Sequence, residues 1–188
     1  MSTTFWIILG FVGLIAIWLI AAYNGLVTLR QRTRQSFSDI DVHLKQRHDL
    51  VPNLVETVKG YAKHESETLQ NVIKWRNAAA TATGPSAQAA AEGQLTAGIR
   101  QLFALAEAYP DLKASANFQQ LQSELADLEN KIAASRRFFN SAVSEYNASR
   151  ESFPTVLFAN SMGFGPEAFF NLDEAEKEAV KTAPKVQF

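Results

Sequence analysis

The stretch FQQLQSELADLENKIAASRRFFNSAVSEYNASRESF, Phe118 to Phe153, decides the fold class. Within it Phe118, Leu121, Leu125, Leu128, Ile132, Ser135, Phe139, Ala142, Tyr146, Ser149 and Phe153 follow one another in alternating steps of three and four. A helix gathers residues at that spacing on one face, whereas a strand, with its period of two, would scatter them over both. The pattern predicts a long core helix or coiled-coil strand. Pro154 terminates it, because proline cannot continue the helical hydrogen bonding.

Upstream, the same steps recur in Thr33, Phe37, Ile40, Leu44, Arg47, Val51, Leu54, Val58 and Tyr61, with Arg47 the conspicuous polar interruption. Pro52 is expected to kink this helix or begin a new segment, and Lys59-Gly60 to end it. A second helix is expected over residues 65–80, carrying Leu69, Val72, Ile73 and Trp75. The small-residue run ATATGPSAQAAAEG, Ala80 to Gly93, reads as a connection whose alanines can be helical on either side of Gly84-Pro85. A third helix, residues 86–108, presents Leu95, Ile99, Leu102, Phe103 and Ala106 and stops at Tyr109-Pro110-Asp111. These segments predict an all-α chain whose body is an antiparallel four-helix bundle. No fixed-period repeat points to a solenoid.

The N-terminal part is of another kind. FWIILGFVGLIAIWLIAAY, Phe5 to Tyr23, holds nineteen residues without a charge. As a helix it reaches roughly 28 Å, close to the ~30 Å hydrocarbon core of a bilayer. Trp6, Trp18 and Tyr23 stand near its ends, where amphipathic rings favour the headgroup layer. A cleaved signal peptide is the alternative, but no basic residue precedes the run, and the run exceeds the ~7–15 residues of a signal core. Ala21-Ala22 offers a weak cleavage site. The expectation is an uncleaved single-pass anchor whose helix continues into the bundle. Residues 1–4 form a short tail, 5–23 the anchor, 24–154 the bundle, and 155–188 an apolar segment with a charged tail.

Arg30, Arg32, Arg34, Lys45 and Arg47 follow the span, and Met1–Thr4 carry no basic side chain. The positive-inside rule then predicts an external N-terminus and a cytoplasmic body. Arg30, Arg32 and Arg34 either touch anionic headgroups or form a solvated helix face. The whole chain has 188 residues, 18 basic and 19 acidic side chains and no cysteine. That balance lacks the basic excess of a nucleic-acid binder. The missing cysteine excludes disulfides, thiol nucleophiles and cysteine-ligated metals.

Motif searches for chemistry come back empty. His64-Glu65-Ser66-Glu67-Thr68 begins like HExxH, but its fifth position is Thr. His43 and His48 are five apart and share a helix face poorly; with Asp39, Asp41 or Asp49 they could form only a composite metal site. Asp39 and Asp41, two apart, face different sides of a helix. Neither a phosphate-binding glycine loop nor GxSxG occurs. No catalytic residue, cofactor or metal ligand is therefore assigned.

Two features remain. Arg47 lies in an apolar stripe, while Glu129, Asn130, Arg136 and Asn140 flank another. Either Arg47 pairs with Glu129, because an unpaired buried charge costs several kcal/mol, or helix rotation takes it to solvent. FPTVLFANSMGFGPEAFF, Phe153 to Phe170, is apolar yet broken by proline and glycine. Its Phe158, Met162, Phe164, Phe169 and Phe170 either dock on the chain's own helices or form a contact surface for a neighbouring subunit, a partner or lipid. Asp173 to Lys181 reads as a short charged helix or tail.

Several blocks together resemble the LemA family. They are YNGLVTLR (Tyr23–Arg30), DIDVHLKQRHDLVPNLVETVKGYAKHE (Asp39–Glu65), AYPDLKASANFQQLQSEL (Ala108–Leu125), LENKIAASRRFFNSAVSEYN (Leu128–Asn147) and Phe153-Pro154. Phe37 stands where the family often has tryptophan, and Phe139 where it often has tyrosine. The resemblance implies a membrane helix joined to an antiparallel four-helix bundle. It also implies association with membrane metalloproteases and envelope quality control, or, in one branch, with organelle membranes of magnetic bacteria. It supplies no catalytic residues. The expected function is a membrane-anchored, nonenzymatic scaffold or adaptor of the bacterial envelope, working on the lipid bilayer through self-association and contacts with envelope proteins. A ligand- or signal-sensing helical domain is the second reading, and an undetected metal-dependent hydrolase the third.

Overall fold

The computed structural model describes residues 3–62 and 64–170. Five α-helices and one 3-10 turn follow in order: α1 (Thr3–Tyr61), α2 (Ser66–Thr81), α3 (Pro85–Ala106), α4 (Pro110–Ala114), α5 (Ala116–Glu151) and the turn Thr155–Leu157. The described residues contain no strand. Asp173–Lys181, Met1 and Ser2 lie outside them.

The chain divides into two compact units. The first takes its described residues from 3–36 and 138–167, the second from 37–137 and 168–170, so α1 and α5 contribute to both. In the first unit the apolar stretch of α1 is long enough to cross a membrane and is exposed along its length. Its small core gathers Leu26, Tyr146, Ala159 and Phe164. In the second unit one core joins Val51, Leu54 and Val58 of α1, Leu69 and Val72 of α2, Leu95 and Leu102 of α3, Leu112 of α4, and Phe118, Leu121 and Leu125 of α5.

The periodicity of α5 holds from Phe118 to Tyr146, with every large apolar member of its stripe buried. It fails at Phe153, which lies beyond the helix end and is 81% exposed. The α1 stripe is buried at Thr33 and from Ile40 to Val58, and departs from the pattern at Phe37 and Tyr61. Phe37 is only half-buried while Ser36 is buried, and Tyr61 is exposed in the last turn. Between α2 and α3 the connection shortens to Ala82–Gly84, with Gly84 at φ 85° and Pro85 opening α3. Gly98 of α3 faces the Trp75 ring of α2 so closely that an added Cβ would lie 2.6 Å from it. Residues 107–109 separate α3 from the short helix α4, which Pro110 opens and which sequence periodicity did not reveal.

Pro52 neither ends α1 nor begins a new segment; the helix runs through it. Proline lacks the N–H that would bond the carbonyl four residues back, which is that of His48. Arg76 of α2 supplies the missing donor: its Nε donates to the His48 carbonyl at 3.1 Å. A tertiary hydrogen bond thus replaces the helical one where the sequence removes it. Arg76→Met should destabilise the chain by about 1–3 kcal/mol, because it orphans that carbonyl. In a Pro52→Ala background the helix regains its own donor, and the same substitution should cost about 1 kcal/mol less. Thermal unfolding of the four variants in detergent, followed by circular dichroism, checks this; equal costs in both backgrounds would refute the exchange.

Candidate functional site

The second unit encloses a cluster of charged and polar groups built on four helices. Arg47 and His48 are neighbours on α1, Glu92 and Thr96 lie one turn apart on α3, Glu129 is on α5, and Arg76 is on α2. Arg47 is 2% exposed and Glu92 3%, so both sit inside the protein. Arg47 Nη2 donates to Glu92 Oε2 in a short ion pair. Its Nη1 donates to Glu129 Oε2 at 2.7 Å and to Thr96 Oγ1 at 3.0 Å. The other oxygen of Glu92 faces His48 Nε2 at 2.6 Å. An ionised carboxylate only accepts, so the imidazole carries a proton on that nitrogen.

Burial acts to raise the pKa of Glu92, but the hydrogen bond with His48 and the positive charge of Arg47 outweigh it. The carboxyl is therefore held below its ordinary range and stays ionised. Arg47 and Glu129 stand in contact, but Glu129 is 44% exposed at its side chain, and the buried counter-charge is Glu92. Sequence reading passed over Glu92 because it sits among alanines. A signal was present: Gln88, Glu92, Leu95, Ile99, Leu102 and Ala106 continue the three-and-four spacing of α3, and all six are buried. Gln88 Nε2 donates to Asp41 Oδ1 at 2.9 Å. His43 Nδ1 lies 3.4 Å from Gln46 Oε1, while His48 turns to Glu92. Among the described residues, no three His, Asp or Glu side chains converge as metal ligands.

The first unit holds the C-terminal apolar segment. Phe164 is fully buried, its ring edge-on to Tyr23 at 5.3 Å, with the Arg30 guanidinium 4.7 Å from its centroid. Arg30 also reaches the Gly163 carbonyl at 3.4 Å, and Gly163 takes φ 79°, a conformation that suits glycine. Tyr146 donates its hydroxyl to the Gly165 carbonyl at 2.8 Å. Burial raises the pKa of that phenol and the nearby Glu167 charge adds to it, so it remains a donor. Asn147 and Glu167 exchange two hydrogen bonds, 2.9 Å from the amide to the Glu167 carbonyl and 3.0 Å from the Glu167 N–H to the amide oxygen.

Of the two alternatives for this segment, docking on the chain's own helices holds for Phe164 and Phe170. Phe164 is core of the first unit, and Phe170 is buried in the second under the Arg136 guanidinium, 4.8 Å from its ring. Phe158, Met162 and Phe169 keep partial exposure. The basic residues after the span are not a bare face either. Arg32 pairs with Glu145 at 2.8 Å and stacks on Phe138, Arg30 holds Phe164, and Arg34 also interacts within the protein. Trp6, Trp18 and Tyr23 expose much of their rings.

A sequence profile of the LemA family matches residues 36–188. The chain belongs to the LemA family. The match begins after Tyr23–Arg30, so the apolar stretch and that first block lie upstream of it. Among similar proteins, the magnetosome protein MamQ of Magnetospirillum gryphiswaldense is 23% identical over 179 residues, covering 81% of this chain and 66% of its own length. Protein LemA of Metamycoplasma hominis is 26% identical over 164 residues, covering 85% of this chain and 74% of its own. The chain thus spans about two thirds of the magnetosome relative.

For this LemA-family chain the cluster makes three predictions. Arg47→Met or Glu92→Gln should each cost about 3–5 kcal/mol, because each strands a buried charge. Their double-mutant coupling should exceed that of Arg47→Met with Glu129→Gln, since half-exposed pairs are worth about 1 kcal/mol or less. Chemical unfolding in detergent measures both; equal couplings would remove Glu92 from its central place. Acid should act through the same carboxyl. A depressed folded pKa gives stability that is complete above the unfolded value of about 4.3 and is lost as pH falls through the folded one. The native chain should therefore lose more stability below about pH 4.3 than Glu92→Gln does, as read by the melting temperature against pH.

Proposed function

We propose that this LemA-family protein is a nonenzymatic scaffold or adaptor, anchored in the bacterial inner membrane by α1, with its N-terminus outside and its body in the cytoplasm. The helices of the second unit form an antiparallel four-helix bundle, a reading favoured by the three-residue connection between α2 and α3. One observation carries the nonenzymatic reading. Glu92 is the charged side chain whose pKa and burial would first suggest catalysis. Both of its oxygens are engaged by Arg47 and His48, so its charge is spent on holding helices together. A reacting group needs a free face toward substrate.

The anchoring reading rests on the exposed apolar stretch of α1, and the orientation on the basic residues that follow it. Partners in this reading are the bilayer, further copies of the chain, and membrane proteins such as an envelope metalloprotease. No nucleic acid is involved, given the balanced charge. The absence of cysteine allows a direct test. Val42→Cys, at an exposed position of α1, should react with a membrane-impermeant maleimide in inverted vesicles and not in intact cells. Photocrosslinking from the same position should yield products between copies or with another membrane protein. Labelling in intact cells would reverse the topology, and absence of any intermolecular product would count against the scaffold.

A further inference from the structure

We propose that the segment that follows α5, Phe153 to Met162, forms a lipid-inserted tip that enters the same leaflet from which α1 emerges. This rests on the anchoring reading above. It adds a second point of membrane insertion, built from the far end of the sequence.

The tip reaches the depth of the span. Trp18 lies five residues before Tyr23 on α1, roughly 7 Å further into the span at the helical rise. The Trp18 ring meets Phe158 edge-on, with centroids 5.7 Å apart and an interplanar angle of 87°. Tyr23 meets Phe164 in the same manner at 5.3 Å. The returning segment therefore lies alongside the charge-free stretch of α1 and reaches past Tyr23. When that stretch is in the bilayer, Phe158 is at the depth of Trp18.

Composition agrees. From Ser152 to Pro166 there is no charged residue. The last charges before the tip, Arg150 and Glu151, pair with each other at 2.8 Å, and Arg150 also donates to Asn160 Oδ1 at 3.0 Å. Beyond them the tip presents apolar side chains outward: Phe153 is 81% exposed and Leu157 74%, with Val156 beside them. Such a patch facing water would be costly, whereas one flush with a membrane span has its natural cover in acyl chains.

Much of the tip's backbone is paired within the chain, which lowers the cost of leaving water, because an unpaired N–H or C=O costs several kcal/mol in a bilayer. Val156 N–H bonds the Ser152 carbonyl, Leu157 the Pro154 carbonyl, and Phe158 and Ala159 the Thr155 carbonyl. Met162 bonds back to Phe158 and Phe164 to Ala159. The hydroxyls of Ser152 and Ser161 donate to the carbonyls of Ala148 and Phe158. The base of the tip is clamped by Tyr146 on Gly165 and by Asn147 on Glu167, which holds it at that depth.

The test uses the full chain in liposomes, with single cysteines carrying an environment-sensitive fluorophore. Leu157→Cys and Phe153→Cys report the tip, Leu14→Cys the span, and Val42→Cys the second unit; all four positions are exposed. Circular dichroism checks that each variant keeps its helices. Labels on the tip should be quenched by shallow nitroxide lipids about threefold more than the label at Val42, and by aqueous iodide about threefold less. If Leu14 is quenched by lipid while Leu157 behaves like Val42, the tip inference falls and the anchor stands. Should Leu14, at the middle of the span, also escape a nitroxide placed deep in the acyl chains, the anchoring reading fails and takes the tip with it. A tip label shielded from both quenchers would mean that a second copy covers the patch, which overturns lipid as its occupant.

Discussion

A guanidinium inside a protein must be neutralised where it lies, and this requirement orders the second unit. Arg47 is buried on α1 and cannot reach water, so its donors are shared among α3 and α5 through Glu92, Thr96 and Glu129. An apolar trio of similar volume could pack there without the desolvation cost. What the charge adds is register. If α3 slid by one turn, Gln88 or Thr96 would stand in place of Glu92, and two buried charges would lose their partners. Apolar contacts tolerate such a slide better, because they are not directional.

The same site ties in α2. His48 gives its ring to Glu92 and its carbonyl to Arg76, so one residue of α1 joins the helices on either side of the Ala82–Gly84 connection. Pro52 makes this arrangement useful. It frees the His48 carbonyl from helical duty, and a helix-breaking residue becomes the acceptor site for a neighbouring helix.

Periodic burial was legible in the sequence. Phe118 to Tyr146 could be read directly, since a long helix with one apolar face leaves a spacing no strand can imitate. The ends of stripes were less legible: Tyr61 and Phe153 keep the spacing but are exposed, one in the last turn of α1 and the other beyond the end of α5. Pairing was half legible. Arg47 announced itself as a charge in an apolar stripe, and Glu129 was within reach, but the deeper partner was hidden in an alanine-rich run that resembled a linker. The Arg76 bond could not be read from spacing at all, because a carbonyl freed by Pro52 carries no side-chain signature. Helix α4 was missed because five residues are too short to show a period.

The small core of the first unit draws on both ends of the chain. Leu26 and Tyr23 find Tyr146, Ala159 and Phe164 more than a hundred positions later. Synthesis runs from the N-terminus, so the α1 segment is made long before the residues that cover it. Until Phe164 has left the ribosome, Leu26 waits with its apolar face open. Closing so long a loop adds little entropy cost beyond that of a shorter one, since the penalty grows only with the logarithm of length. The delay, rather than the free energy, is what sequence separation imposes. A chain that stops short of Phe164 carries its N-terminal helix without the aromatic ring that closes the core around Leu26.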